Sequence, residues 1–438
     1  MRWYLVVVLL LVVGLVFQLG LLVYAMYALL GVMLTSRFFA RSWIESVTAE
    51  RGCNITNGVI GDQATVTVTI KNTGRWTIAW LLLEDSVPKS AMMQRPPRIG
   101  IKKPRSAIMR LKPGETKKLS YRVRFDYRGY YQLGPLLAET GDLFGLHRRY
   151  RVLTEPVYVL ITPTVVPLSG YDIASRRPIG EVRMTYRLFE DPTRIAGVRA
   201  YEEGDPLRRI HWHATARTGE LHSKVYEPST VAGATLLVDF HQDGYNSRAE
   251  PHRSELAVTT ATALANQVYL LGQQFGLYSN GRDAADRIRQ QGHRLEFRSR
   301  VAAQTDASQE TSSDRLRPVE LRSARGPDQF QRTLETLARL ELTDGLTFSE
   351  LVVEVSGRLP RDATVIAILP DVPEETAIAL GTLKRSGYSV TAVVVTYDEH
   401  HFVACGGRLV AEGIDVRRVD DEAMLAALCS QRMIGAFG

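Results

Sequence analysis

The first 34 residues are almost entirely apolar. From Trp3 to Leu34 no side chain carries a charge, and Gln18 is the one strongly polar side chain. A helix needs about 20 apolar residues to cross a bilayer, and a helix of a soluble core would show a polar stripe. A cleaved signal peptide has an apolar stretch of only about 7–15 residues. The pattern therefore predicts a transmembrane segment over residues 1–43.

The apolar run is compatible with two arrangements. It forms either one long tilted helix or a hairpin of two helices of about 15 residues each, which is slightly short for a full crossing. Gly14, Gln18 and Gly20 lie near its middle and offer a turn. We favour the hairpin.

Basic residues predict the orientation of this segment. Arg37, Arg41 and Arg51 follow the apolar run closely, and cytoplasmic flanks of membrane helices carry an excess of Lys and Arg. A hairpin also places Arg2 on the cytoplasmic side. Both arrangements therefore predict an inner (cytoplasmic) membrane protein whose soluble body faces the cytoplasm.

Residues 44–167 alternate between apolar and polar side chains. Ala64–Ile70 and Leu119–Phe125 alternate without interruption, and turn sequences such as Lys112-Pro-Gly114 separate the runs. Strict alternation is typical of strands with one buried face. Short strands with turns between them favour a β-sandwich-like domain, which is a scaffold or a binding module because nothing in it looks catalytic.

Residues 234–438 show a different pattern, in which short apolar runs alternate with stretches of helical periodicity. This order predicts an α/β domain with a parallel, doubly wound sheet. Ligands bind such sheets at the carboxyl ends of the strands, where Asp239 and Asp371 lie. One helix is predicted from about Arg253 to Phe275. The apolar runs are Thr235–Asp239, Thr364–Leu369 and Ser389–Thr396.

An insertion interrupts this domain. Residues from about 280 to 325 are rich in Arg, Ser, Gln and Asp and contain few large apolar side chains. Such a composition buries too little apolar surface to offset the entropy of ordering. The sequence predicts a largely disordered insertion there, followed by a helix at about Asp328–Leu340.

Composition narrows the class of protein. Lys and Arg number 54 against 47 Asp and Glu, which gives a net charge of +7, and there are three cysteines. Three scattered cysteines exclude a disulfide framework or a cysteine zinc cluster. No interleaving of basic and aromatic residues argues for nucleic acid, and no phosphate loop, His-Glu-x-x-His or Gly-x-Ser-x-Gly sequence is present.

The segment 168–233 is dense in Arg, Asp, Trp and Gly. Gly204-Asp-Pro206 predicts a turn in which Asp205 accepts backbone hydrogen bonds, and Trp212 offers an apolar anchor. Two interpretations stay open for this segment: an ion-pair and aromatic cluster that locks one domain to the next, or a docking surface for acidic residues of a partner. Its cations, which suit carboxylates, include Arg208, Arg209, Arg217 and Lys224.

Three histidines lie in the same segment. His211, His213 and His222 could bind zinc, but partner docking or simple surface exposure is commoner for such histidines.

The segment closely resembles the signature of bacterial proteins of domain-of-unknown-function family 58. The resemblance extends to the apolar N-terminus, to the β-rich part with Arg128-Gly-Tyr-Tyr-Gln-Leu-Gly134 and Asp142-Leu-Phe-Gly145, and to a C-terminal domain similar to von Willebrand factor A. The signature positions that match are Arg199, Tyr201, Gly204, Asp205, Arg208, Ile210, Trp212, Ala216, Arg217, Gly219, Leu221 and Lys224.

The resemblance implies a function without catalysis. Members of this family are typically encoded beside an AAA+ ATPase of the MoxR type and often beside a transglutaminase-like membrane protein. The resemblance therefore implies a membrane-anchored, non-enzymatic adaptor that partners the ATPase in assembly or activation of a client complex, and it implies no cofactor.

The A-type resemblance also raises the question of a metal ion. Such domains bind a divalent ion through an Asp-x-Ser-x-Ser loop after the first strand, and here Asp239, His241 and Asp243 occupy the three positions, with Asp371 as the later acid. Magnesium prefers oxygen ligands, so His241 argues against it, and a transition metal is conceivable. The default expectation is an empty remnant of the loop.

Two alternative functions remain. A metal-dependent hydrolase would use Asp239, Asp243 and Asp371. A structural protein of the cell envelope would have its body outside the cell.

Overall fold

A computed structural model describes residues 2–87, 91–92, 96–142, 145, 147–168, 190–201, 210–228, 233–245, 250–291, 316–360 and 363–428. These residues fall into two compact units. The first takes the described residues within Met1–Thr164, Arg282–Arg315 and Leu334–Leu342. The second takes those within Val165–Gly281, Leu316–Thr333 and Thr343–Gly438.

The helices of the described residues are α1 (Arg2–Val16), α2 (Gly20–Glu45), α3 (Trp212–Thr218), α4 (His252–Leu270), α5 (Ala284–Gln291), α6 (Pro327–Arg339), α7 (Phe348–Val355), α8 (Glu374–Arg385), α9 (Glu399–Ala411) and α10 (Glu422–Ala426).

The strands of the described residues are β1 (Val47–Cys53), β2 (Asn57–Val59), β3 (Gln63–Asn72), β4 (Ile78–Asp85), β5 (Ile99–Lys102), β6 (Ser106–Leu111), β7 (Thr116–Phe125), β8 (Gly129–Leu133), β9 (Leu136–Gly141), β10 (Arg148–Thr154), β11 (Val157–Thr162), β12 (Glu190–Ala200), β13 (His222–Pro228), β14 (Gly233–Val238), β15 (Gln274–Ser279), β16 (Arg282–Asp283), β17 (Val319–Ala324), β18 (Leu340–Glu341), β19 (Ala363–Leu369), β20 (Ser389–Val395) and β21 (Asp415–Val419).

The N-terminal apolar run folds back on itself as two helices. Gln18 lies in the turn between α1 and α2 with a φ of 49°. Gly14 lies so close to α2 that a Cβ atom there would be 3.2 Å from Val23 Cγ2, and at the other end the Tyr4 hydroxyl donates to the Met33 carbonyl at 3.1 Å. Of the described helices, α2 alone is long and apolar enough to cross a membrane by itself.

The C-terminal part of α2 belongs to the β-rich body. Trp43 and Ile44 are buried in the same hydrophobic cluster as the strands, and α2 contacts β9 and β10. His147, just before β10, lies near both helices, with Nε2 3.0 Å from the Tyr4 hydroxyl and Nδ1 3.1 Å from Ser36 Oγ. The hairpin is therefore packed against the strands that follow it.

The strands of the first unit form two four-stranded sheets around one core. The sheets have the orders β1-β3-β7-β5 and β10-β9-β4-β6, and β2-β11-β8 forms a third, smaller sheet. The predicted alternation in β3 is present, because Ala64, Val66, Val68 and Ile70 are buried and the residues between them are not. Residues of both larger sheets share one hydrophobic cluster, which is the packing of a sandwich.

A buried polar cluster lies in this core. Arg51 forms an ion pair with Asp85 and donates to the Leu133 carbonyl, and the Tyr121 hydroxyl donates to the other Asp85 oxygen at 2.7 Å. Arg51 was predicted as one of the flanking cations that set the membrane orientation. Its side chain is instead buried against Asp85, so Arg37 and Arg41, which are exposed, remain as that flank.

The ends of the predicted disordered insertion are ordered. β16 pairs with β18, Ala284 and Ile288 of α5 are buried, and Arg287 binds both oxygens of Glu341 at 2.8 and 3.0 Å. At the other end, β17 pairs with β15. The prediction over 280–325 is thus wrong at both ends, because pairing with distant strands orders polar residues there; residues 292–315 lie outside the described residues.

Arg128 binds the chain just before β18. Its Nη1 lies 2.8, 3.3 and 2.8 Å from the carbonyl oxygens of Leu337, Ala338 and Leu340, and the side chain is buried. Leu337 and Ala338 lie in the last turn of α6, where carbonyls have no partner further along the helix, and Leu340 begins β18. A guanidinium group is a suitable donor to such carbonyls.

The second unit contains a six-stranded sheet of order β17-β15-β14-β19-β20-β21. All neighbouring pairs are parallel except β15 and β17. Leu237, Val365 and Val394 pack with residues of α7, α8 and α9 in one cluster, and α4 contacts β14, β15, β19 and β20. The strand order reverses between β14 and β19, which places the ends of these two strands side by side.

Candidate functional sites

The signature segment is a short helix held by two antiparallel strands. β12 pairs with β13, with Arg199 opposite Ser223. The Tyr201 amide donates to the Leu221 carbonyl at 2.9 Å, and the His211 amide donates to the His222 carbonyl at 2.8 Å. These bonds fix both ends of the loop that contains α3.

Side chains of the signature explain how α3 begins and ends. His211 Nδ1 accepts from the Ala214 amide at 3.0 Å, which caps the first turn. Gly219 ends the helix with a φ of 78°, a left-handed conformation that glycine adopts without strain. Glycine is therefore needed at position 219 for the backbone conformation that ends α3, and this position indicates no binding or catalytic role.

The outer face of α3 is exposed. None of its residues is buried, and Trp212 is 68% exposed. Arg217, in the last turn, is also exposed, and Lys224 on β13 is partly exposed. Trp212 is therefore not buried within its own unit. Gly204, Asp205, Arg208 and Arg209 lie outside the described residues.

The histidines of the signature do not converge. The rings of His211 and His213 are 6.4 Å apart and nearly perpendicular. His222 Nδ1 instead contacts the Glu220 carbonyl at 2.8 Å and Thr218 Oγ1 at 3.2 Å. The rings of His211 and His222 thus each bind their own neighbours along the chain.

A second candidate site lies at the carboxyl ends of β14 and β19. Asp239 is 6% exposed, and its Oδ1 accepts from Asn280 Nδ2 at 2.9 Å and from the His241 amide at 3.0 Å. Burial raises the pKa of Asp239 to about 6 despite these two hydrogen bonds, and the charge of Asp371 adds to the rise.

Asn280 was not recognised as a site residue. It follows β15, and besides Asp239 it binds the Phe240 amide at 2.7 Å and the Leu346 carbonyl at 3.0 Å. Its position directly after a buried strand was a signal that could have identified Asn280. The polar residues that follow it instead placed Asn280 in the predicted disordered insertion. Its contacts fix the loop that begins at Asp239.

The predicted metal-ligand set is not brought together. Asp243 is 81% exposed and lies 3.7 Å from His241 Nδ1, and that nitrogen accepts from the Asp243 amide at 3.4 Å. Asp239 Oδ1 is occupied by Asn280 and the His241 amide. Asp239, His241 and Asp243 therefore do not present the convergent oxygen atoms that magnesium requires, and the divalent ion of A-type domains does not fit this loop.

Asp371 lies instead with two side chains that sequence reasoning missed. Asp371, His401 and Cys405 are the group of His, Cys, Asp and Glu side chains whose ligand atoms converge within 4.8 Å among the described residues. His401 and Cys405 are four positions apart on α9 and so lie on one face. Burial raises the pKa of the Cys405 thiol to about 11, and the charge of Asp371 contributes to the rise.

The signature lies within a region that matches a known protein family. A family model described as "Protein of unknown function DUF58" matches residues 197–326. Residues 197–326 are thus similar to this family. The DUF58 match begins in β12 and includes α3, β14 and Asn280, but it ends before Asp371 and α9.

A curated protein is similar to more than half of this chain. The uncharacterised protein YeaD of Bacillus subtilis (strain 168) is 25% identical over 259 residues. The alignment covers 59% of this chain and 62% of YeaD, so the chain spans less than two thirds of that relative.

Two solved structures illustrate the similarity to a part of the chain. The CARDB domain of a Pyrococcus furiosus protein covers 26% of this chain with 15% identity and a TM-score of 0.18, and 91% of that domain is matched. Escherichia coli alpha-2-macroglobulin, from domain MG7 to its C-terminus, covers 27% of this chain with 17% identity and a TM-score of 0.21, over 16% of its own length.

Proposed function

We propose that this DUF58 chain is a membrane-anchored, non-enzymatic adaptor that binds a cytoplasmic partner through the outer face of α3. The observation that carries the proposal is the exposure of both Trp212 and Arg217 on α3. Trp and Arg are the residues most enriched at the energetic centres of protein interfaces. A tryptophan left in water by its own domain gains most from being covered by a partner.

The apolar hairpin supports the membrane anchor. Leu5, Leu9, Phe17, Leu21 and Tyr24 all point outward and are more than half exposed. Each large apolar side chain that leaves water contributes about 1.5–3 kcal/mol, so the hairpin surface favours lipid strongly. The exposed Arg37 and Arg41 support a cytoplasmic location of the body.

The charge of the signature favours an acidic partner. Arg199, Arg217 and Lys224 are cations of the described signature, and the exposed Leu221 and Val198 add apolar surface near them. Arg pairs with carboxylates through two parallel hydrogen bonds. We assign the partner, from the family resemblance, to a MoxR-type AAA+ ATPase, with a transglutaminase-like membrane protein as a second member of the assembly.

We also propose that the second unit is a von Willebrand A-like domain. Support comes from its strand order, from the antiparallel edge strand β17 and from an aspartate directly after the first strand of the sheet, β14. In this proposal the domain presents α3 to the partner and carries no magnesium ion.

Pull-down of the ATPase tests the docking proposal. Full-length protein in detergent should retain a MoxR-type ATPase, and Trp212→Ala and Arg217→Glu should each lower retention at least about tenfold without changing the thermal melt. Trp76→Ala, which removes another exposed tryptophan, is the matched control and should retain the ATPase. Failure of the intact protein to retain any ATPase, or a melt lowered by Trp212→Ala with retention unchanged, contradicts the proposal.

Fractionation and protease access test the anchor and its orientation. The protein should stay with membranes until detergent is added, and the body should resist protease added to intact cells. A freely soluble full-length product refutes the anchor. Digestion from outside favours the envelope structural protein, and hydrolytic activity lost in Asp239→Ala favours the hydrolase.

A further inference from the structure

Three different ligand atoms meet beside the carboxyl end of β19. His401 Nε2 lies 3.4 Å from Asp371 Oδ1. Cys405 Sγ lies 3.4 Å from the same oxygen and 3.5 Å from His401 Nε2. Nitrogen, sulfur and oxygen therefore form a nearly equilateral triangle.

The size of this triangle matches one face of a zinc coordination sphere. Zinc binds Cys at about 2.3 Å, His at about 2.0–2.1 Å and Asp at about 2.0–2.2 Å in tetrahedral geometry. Tetrahedral angles then place the nitrogen and oxygen about 3.3–3.5 Å apart, and the sulfur about 3.5–3.6 Å from each. The three separations in the protein agree with these values to within about 0.2 Å, so zinc fits with the side chains almost where they are.

The backbone around Asp371 is held in place on both sides. Arg253 donates to the Pro370 carbonyl, and Arg408 donates to the Val372 carbonyl at 2.6 Å. Asp371 Oδ1 itself accepts from the Val372 amide at 2.7 Å. Metal-binding carboxylates are commonly fixed by such outer contacts, which orient the ligand before the ion arrives.

The other two ligands are fixed by helix α9. Asp398 caps its first turn by accepting from the His400 amide at 2.9 Å. The spacing of four residues directs His401 and Cys405 to one side. Cys405 is buried, whereas Asp371 and His401 are partly exposed, so solvent reaches the site from the Asp371 and His401 side.

The imidazole of His401 has more polar neighbours than it can satisfy by hydrogen bonds. His401 Nε2 has three polar atoms within reach: Pro370 O at 3.3 Å, Asp371 Oδ1 at 3.4 Å and Cys405 Sγ at 3.5 Å. A neutral imidazole nitrogen carries at most one proton, so it can satisfy one of these at a time. A cation at the centre of the triangle would attract all three ligand atoms at once.

We propose that Asp371, His401 and Cys405 bind one Zn²⁺ as its three protein ligands. The ion takes a thiolate, a neutral imidazole and a carboxylate, and the thiol proton passes to solvent on binding. Three protein ligands leave the fourth tetrahedral position open to water on the exposed side, as in zinc sites that act on a ligand. The site lies beyond the DUF58 match and is independent of the α3 docking face.

Cobalt substitution tests the ligand set directly. Full-length protein in detergent, purified without a polyhistidine tag and stripped with a chelator, is titrated with Co²⁺ alone. One Co²⁺ per chain should produce the visible bands of tetrahedral cobalt and an ultraviolet thiolate-to-cobalt charge-transfer band. The charge-transfer band should vanish in Cys405→Ser. It should persist in Cys53→Ser and Cys429→Ser, which leave the proposed ligands intact.

Zinc competition against a chromophoric chelator measures the affinity. His401→Ala should weaken binding at least about 100-fold, since even outer-shell changes cost about 10–100-fold. His400→Ala, at the exposed neighbouring position, should leave binding unchanged, as should Trp212→Ala. Absence of stoichiometric zinc in the wild type, a charge-transfer band that survives Cys405→Ser, or equal losses in His400→Ala and His401→Ala would each overturn the proposal.

Discussion

The buried carboxyl group of Asp239 makes a prediction about stability and pH. Its pKa is about 6 in the folded protein against an ordinary value of 3.8, mainly because burial disfavours the charged form. Between these two values the unfolded chain has lost the proton and the folded protein keeps it. Stability should therefore fall as the pH rises from about 4 to about 6 and level off above that.

Asp239→Asn removes this effect with little change of shape. The asparagine oxygen can still accept from Asn280 Nδ2 and the His241 amide, and the side chain no longer ionises. A tenfold difference in proton affinity corresponds to about 1.4 kcal/mol, so the charged aspartate costs about 3 kcal/mol at pH 7. The variant should match the wild type near pH 4 and be more stable by up to about 3 kcal/mol at pH 7.

Hydrogen exchange in urea measures this difference locally. Mass spectrometry of peptides covering β14 and β19, in chelator-treated full-length protein, gives the urea midpoint of the second unit at pH 4 and pH 7. Asp243→Asn, in the same loop but exposed, is the matched control and should change the free energy by less than about 0.5 kcal/mol. An Asp239→Asn variant that is less stable than the wild type at pH 7, with a difference independent of pH, would refute the reasoning.

Three further changes probe the packing. Arg51→Met should lower the free energy of unfolding of the first unit by about 3–5 kcal/mol, because it leaves Asp85 charged and buried. In thermal melts, Asp85→Asn in the same chain should recover part of that loss, and a wild-type melt for Arg51→Met contradicts it. Arg128→Met should cost at least about 2 kcal/mol, since the carbonyls of Leu337, Ala338 and Leu340 lose a donor; unchanged hydrogen exchange of residues 334–342 would argue against this. Thr347 and Glu350 form a reciprocal cap at the start of α7, so Thr347→Ala should cost about 1 kcal/mol in urea unfolding and Thr347→Ser should cost much less; equal losses in both variants would contradict the role of the hydroxyl.

Elements with a strong local period were predictable from the sequence. The sequence predicted β3 and β7, because one face of each strand is buried and every second residue must therefore be apolar. The buried strands β14, β19 and β20 were recognisable as unbroken apolar runs, since both of their faces are covered. In these segments the nearest neighbours along the chain already determine which side chains are buried.

Local chemistry also explains one boundary error. The helix predicted to reach Phe275 ends after Leu270, and Phe275 lies in β15. Gly272 has a φ of 66°, and the Gln273 amide returns to the Val268 carbonyl at 3.1 Å. This is a glycine termination of the helix, and a glycine at this point of an apolar stretch was a usable signal.

The candidate sites depend on contacts between distant residues and so were harder to predict. Asn280 reaches Asp239 across 41 positions, and His401 reaches Asp371 across 30. A loop motif after one strand suggested Asp239, His241 and Asp243, but the direction of each side chain is set by the neighbouring strands. The spacing of His401 and Cys405 gains significance only when α9 is placed beside the end of β19.

The continuity of α2 has a mechanical consequence. About 16 Å of helix separates Leu34 from Glu45, at a rise of 1.5 Å per residue, and Ser46 alone stands between the helix and β1. If α2 is the membrane anchor proposed above, the first unit is joined to it by continuous helix and not by a flexible linker. One residue inserted after Thr35 would rotate the part of α2 before the insertion by about 100° relative to the strands. The same insertion in a flexible linker would change no fixed angle.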